Sequence, residues 1–130
     1  MKKKVLFDTN ICVYLLDDII LNEKIRNITK YLIDSDEYEI VIHPLTYAEA
    51  NNISDDTKKE IFRSKLKQYN TIKNPPVANS DFHHDLGCKN SHDRIDNELI
   101  YAVHTNCVEY LVSNDKEIVK KAQKKDWKAK

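Results

Sequence analysis

Long apolar runs are missing from this 130-residue sequence. No segment approaches the ~20 apolar residues of a membrane span, so no spanning helix is expected. The opening MKKK resembles the basic region of a signal peptide, but only Val5 to Phe7 follow before Asp8, so no such signal is expected. Cysteine is scarce and odd in number, at Cys12, Cys88 and Cys107. That argues against a disulfide scaffold and for a reduced, cytoplasmic protein. Net charge is absent, with 21 basic residues against 21 acidic ones. A neutral total neither demands nor excludes a nucleic acid. Internal repeats are absent, and the lysine-rich tail is the one biased tract. The length predicts a single domain over 1–130 with one core.

The charge that is present is unevenly spread. Residues 17–39 hold seven acids and three bases, 58–73 six bases and one acid, and 116–130 seven lysines and two acids. Such asymmetry can serve a polyanionic partner, or simply solvate exposed faces.

Strand-like and helix-like segments alternate. Val5 to Asp8 reads as a buried strand and 10–16 as a helix. Leu21, Ile25, Ile28 and Leu32 have the spacing of an amphipathic helix. Tyr38 to His43 is β-branched and strand-like, and Leu45 to Ile53 follows as a helix. Thr57 and Glu60 form a capping-box pattern that opens a helix to about Ile72, with Phe62, Leu66 and Tyr69 on one face. Residues 74–92, with two prolines and the only glycine, read as a long irregular loop. Ile95, Leu99, Ala102 and Val103 mark another helix, Tyr110 to Ser113 a third strand, and 115 to about 126 a last helix. This alternation predicts an α/β fold with a parallel sheet.

A parallel sheet binds ligands beyond the carboxyl ends of its strands. Asp8 ends the first strand, Glu49 lies early in the helix after the second, and Asp115 follows the third. Asp93 and Asp96 precede or open the helix leading into that third strand. A crossover helix starts at the same edge, so these acids are expected to converge. Crowded carboxylates repel, and a divalent cation would compensate. Oxygen ligands suit Mg²⁺ or Mn²⁺, the equipment for hydrolysing a phosphodiester. Each acid also has a plainer reading as a helix cap: Thr46 with Glu49, and Asn114 with Glu117, are spaced as capping boxes.

Asp8, Glu49, Asp96 and Asp115, in VLFDTN, HPLTYAEA and DRIDNELIYAVHTNCVEYLVSNDKEI, resemble the PIN-domain nucleases. The 19 residues from Asp96 to Asp115 fit that family's usual interval. The resemblance implies a three-layer α/β/α sandwich with a mainly parallel sheet, and metal-dependent cleavage of RNA with Mg²⁺ or Mn²⁺ held by these four acids. Asn10, Ser113 and Asn114 would orient them. Asp93 would either reach a second ion or cap its helix. Lys58, Lys59, Arg63 and Lys116 would offset the site's negative charge and hold RNA. An antitoxin, a fused or associated second domain, or a second copy in a homodimer would be partners. The family's usual strand after the last helix is not seen, so the domain is expected to have a smaller sheet or to come from a longer protein. The pattern looks more like PIN modules of larger proteins than a minimal toxin.

The alternative function is a non-catalytic PIN-like module that binds RNA or protein. A haloacid dehalogenase would want aspartate at position 10, where Asn10 stands. A receiver domain would want an aspartate ending the middle strand, where His43 stands. His84, Cys88 and His92, spaced by four, offer a zinc alternative, with Asp85 or His83 as a fourth ligand. Tyr14, Tyr31, Tyr69 and Tyr101 read as core residues, though they and Trp127 could stack bases.

Overall fold

A computed structural model describes residues 2–8, 11, 23–113 and 115–124. Asn10, Asn114, Cys12, Tyr14, Leu21, Trp127 and, apart from Ile11, the helix expected at 10–16 lie outside these residues. The elements run β1 (Lys3–Phe7), α1 (Glu23–Asp34), β2 (Tyr38–Ile42), α2 (Pro44–Ala50), α3 (Asp56–Leu66), β3 (Asn70–Thr71), α4 (Ser80–Leu86), α5 (Ser91–His104), β4 (Tyr110–Val112) and α6 (Lys116–Lys124). The four strands form one sheet in the order β3-β2-β1-β4, parallel throughout. Val5 pairs with Ile40 on one side and Tyr110 on the other.

The period of two along the strands distributes the core over both faces of the sheet. Val5, Phe7 and Ile42 point to one cluster with Ile11, Leu32, Ala50, Phe62 and Leu66. Leu6 and Val41 point to a second with Ile72, Leu99, Ala102 and Val108. A third cluster, of Ala78, Phe82, Leu86, Ile100 and Ile118, joins α4, α5 and α6. Continuous apolar strands without alternation of polarity are what a sheet covered on both faces requires.

Several expectations are corrected. Residues 74–92 are not an irregular loop: they contain α4, and α5 begins at Ser91. Asn79 caps α4 by accepting from the Phe82 N–H at 2.9 Å, and Asn90 caps α5 by accepting from the Asp93 N–H at 2.9 Å. Gly87, at φ 87°, ends α4 in a conformation that favours glycine. Helix α3 stops at Leu66, and the polar pair Asn70–Thr71 adds an edge strand. Its cap is Asp55, whose Oδ1 accepts from the Lys58 N–H at 3.1 Å, and not Thr57. In α2 the cap is His43, and Thr46 is buried within the helix. Helix α1 turns Thr29 and Leu32 inward and leaves Ile28 exposed. Tyr31 is 63% exposed and therefore not a core residue.

Candidate metal centre

Strands β2 and β3 extend the sheet to one side of β1, and β4 lies on the other. The chain's direction of winding thus switches between β1 and β4, and the crevice at their carboxyl ends is where open α/β sheets bind ligands. Asp8 leaves β1 there, 3% exposed, with its N–H donating to the Val112 carbonyl at 3.1 Å. One residue beyond β4, the Ser113 hydroxyl donates to Asp8 Oδ2 at 2.7 Å and accepts from the Asp115 N–H at 3.0 Å. A single hydroxyl therefore ties together the acids of two strand ends. Asp115 also caps α6, its Oδ1 accepting from the Glu117 N–H at 2.9 Å.

Helix α5 supplies the other wall. Its early start at Ser91 sets His92, Asp93 and Asp96 in the first two turns, with His92 and Asp96 on one face. The His92 ring lies between two carboxylates: Nδ1 is 3.3 Å from Glu49 Oε2 and Nε2 is 3.5 Å from Asp96 Oδ2. Glu49 stands in the last turn of α2 and not early in it as expected, because the helix ends at Ala50, so His92 connects that turn to α5. One ligand atom each from His92, Asp96 and Asp115 fall within 4.8 Å of one another. The edge thus gathers Asp96 and Asp115 directly, Asp8 through Ser113, and Glu49 through His92.

The electrostatics follow from this crowding. Burial pushes the Asp96 carboxyl up to about 7, with the Asp8 and Asp115 charges adding to the rise against the opposing pull of His92. Burial would lower the His92 pKa, but Asp96, Glu49 and Asp115 outweigh it and raise it above its ordinary value. The site holds more negative charge than its own cations neutralise.

Comparison with protein-family models, curated proteins and solved structures finds no match for this chain.

The remaining candidates take other places. Asp93 accepts from the Lys89 N–H at 3.0 Å and lies 3.7 Å from Lys121 Nζ. The Lys89 N–H, with Lys121, holds its carboxyl below the usual range. Lys58, Arg63 and Lys116 are exposed, and Lys59 reaches Asp56 at 4.0 Å. His84, Cys88 and His92 do not gather: His84 is exposed on α4, and Cys88 Sγ turns to the Asn90 carbonyl at 3.8 Å. His83 is buried at 3.2 Å from both Glu98 and Asn97.

Three residues shape this region in roles that the sequence reading did not give them. Composition places His92 in a loop; the pattern Asn90-x-x-Asp93 is the cap signal that would have started the helix at Ser91 and paired His92 with Asp96. Lys121 belongs by composition to a solvated tail. It is 8% exposed, donating to Asn97 Oδ1 at 3.1 Å and to the Gly87 carbonyl at 3.4 Å. Its spacing of three from the buried Ile118 was the only signal. His43 caps α2 through Nδ1, which accepts from the Leu45 N–H at 3.1 Å. Its buried Nε2 has no hydrogen-bond partner among the described residues, and burial lowers its pKa to about 4.

Proposed function

We propose that the protein is a divalent-metal-dependent nuclease, similar to the PIN-domain endoribonucleases, with their three-layer α/β/α architecture. The observation that carries this reading is the meeting of Asp8, Glu49, Asp96 and Asp115, from four separate stretches of chain, at the switch point of a parallel sheet. Helix caps alone would also line this edge, so the contacts that go beyond capping carry the weight: Ser113 links Asp8 to Asp115, and His92 lies between Glu49 and Asp96. The donors fit a cation chemically, being mostly carboxylate oxygens, and Asp96 is raised chiefly by burial, with the Asp8 and Asp115 charges adding to it. Asp96 and Asp115 would hold the ion, Asp8 and Glu49 would close the cluster, and Ser113 would keep Asp8 and Asp115 in register. A bound divalent cation would lower the pKa of an attacking water and offset charge on the phosphate. RNA is the proposed substrate, approached through Lys58, Lys59, Arg63 and Lys116.

The test is cleavage of a labelled single-stranded RNA by the purified chain in millimolar Mn²⁺ or Mg²⁺. Expected are products with 5′-phosphate ends, and loss of cleavage with a chelator or with Asp8→Asn. Metal and RNA binding without cleavage would instead favour a non-catalytic binding module.

A further inference from the structure

The candidate centre is not a purely carboxylate site, because an imidazole stands inside it. Ligand atoms of one ion with bonds of ~2.1 Å lie roughly 3 to 4 Å apart. The donor atoms of His92, Asp96 and Asp115 are within 4.8 Å of one another, so a contraction of about an ångström would bring them to bonding distance. The His92 side chain is 54% exposed and can make that adjustment by a small rotation, whereas Asp96 is fixed in the buried wall.

The second nitrogen of the ring points to the same conclusion. A histidine that binds a metal usually gives its other N–H to a carboxylate, which sets the tautomer and aims the ring. Here Nδ1 faces Glu49 Oε2 at 3.3 Å while Nε2 faces the Asp96 side of the cluster. Glu49 thus stands where a carboxylate that orients a ligating imidazole would stand.

We propose that His92 is a metal ligand through Nε2, with Glu49 as its orienting carboxylate, and that this nitrogen makes the centre prefer late first-row cations to Mg²⁺. Carboxylate oxygens suit Mg²⁺ and Mn²⁺; an imidazole suits Zn²⁺, Ni²⁺ and Co²⁺ and adds to their natural advantage in affinity. The inference deepens the nuclease reading and rests on it for the presence of a metal. It replaces the expectation of an all-oxygen site.

The experiment is calorimetric titration of the intact chain with MgCl₂, MnCl₂ and ZnCl₂, for the wild type, His92→Gln, His92→Asp and Asp115→Asn. His92 is half exposed, so its variants are expected to fold, and circular dichroism verifies this before titration. His92→Gln should weaken Zn²⁺ by at least about tenfold, the cost of disturbing a ligand sphere, and leave Mg²⁺ within about twofold. His92→Asp restores an oxygen ligand and should shift the Zn²⁺-to-Mg²⁺ affinity ratio toward Mg²⁺. Asp115→Asn should weaken all three ions. If His92→Gln leaves the Zn²⁺-to-Mg²⁺ ratio unchanged while Asp115→Asn weakens binding, the histidine is no ligand and the metal reading stands without it. If the wild type binds none of the ions, both readings fall.

Discussion

Asp96 and His43 lie at the same sheet edge and respond to acid in opposite senses. The Asp96 carboxyl is raised to about 7 in the fold against ~3.9 in an unfolded chain. Between those values the native state keeps a proton that the unfolded state has lost. Asp96 therefore contributes its stability fully below about pH 3.9 and loses it as pH rises toward 7, at most roughly 4 kcal/mol. Asp96→Asn should stabilise the metal-free protein more at pH 8 than at pH 4, measured by urea unfolding at both values. His43 works the other way. Its pKa falls to about 4 against ~6.5 unfolded, so stability is complete above about pH 6.5 and is lost on acidification through 4, by roughly 3 kcal/mol. His43→Asn keeps a side-chain oxygen to cap α2 and removes the titration, so its unfolding free energy should lose less between pH 7 and pH 4 than the wild type's. An unchanged slope in either variant would show that the group titrates alike in both states.

Helix ends decide where the candidate site's side chains stand. Helix α5 carries the acidic wall because Asn90 starts it one turn earlier than the apolar spacing of Ile95 and Leu99 alone suggests. The same logic separates two candidate caps of α3. Asp55→Ala should cost about 1 kcal/mol in thermal or urea unfolding, because the Lys58 N–H loses its acceptor. Thr57→Ala should be neutral or slightly stabilising, since Thr57 is an exposed first-turn residue and alanine is the better helix former. Equal losses would return the cap to Thr57. The strands β1, β2 and β4 were legible from their short apolar or β-branched runs, and α3 from its apolar stripe at Phe62 and Leu66. The two-residue strand β3 was not, because Asn70 and Thr71 carry no hydrophobic pattern. They are held by pairing with Val41 and Ile42 and by the Asn70 side-chain N–H donating to Glu39 Oε1 at 2.7 Å. Helix α4 was hidden by prolines and polar residues around it, although its cap, Asn79, and its terminator, Gly87, were both in plain view.

For the whole molecule, the proposed RNA substrate would need local cations beside an acidic crevice in a neutral chain. Replacing Lys58, Lys59 and Arg63 by alanine should weaken RNA binding. The slope of log affinity against log salt should become shallower by about 0.7 for each phosphate that the variant no longer neutralises. Metal affinity should not change, and an unaltered salt slope would mean that RNA enters by another face. The order of strands and helices along the chain was enough to bring Asp8, Glu49, Asp96 and Asp115 toward one edge, because in a parallel sheet every strand end and every returning helix start lies on that side. Sequence alone therefore determined the α/β class, the parallel pairing and the shared address of the acids. Only the tertiary structure decided which neighbours those acids have. That Ser113 joins Asp8 to Asp115, that His92 stands between Glu49 and Asp96, and that Lys121 is buried against Asn97 depends on strand order and on the rotation of α5 and α6 about their axes. Leu99 packs with Leu6, Val41 and Val108, and Ile100 with Ile118, so residues distant in the chain meet in the core in ways that no local spacing encodes.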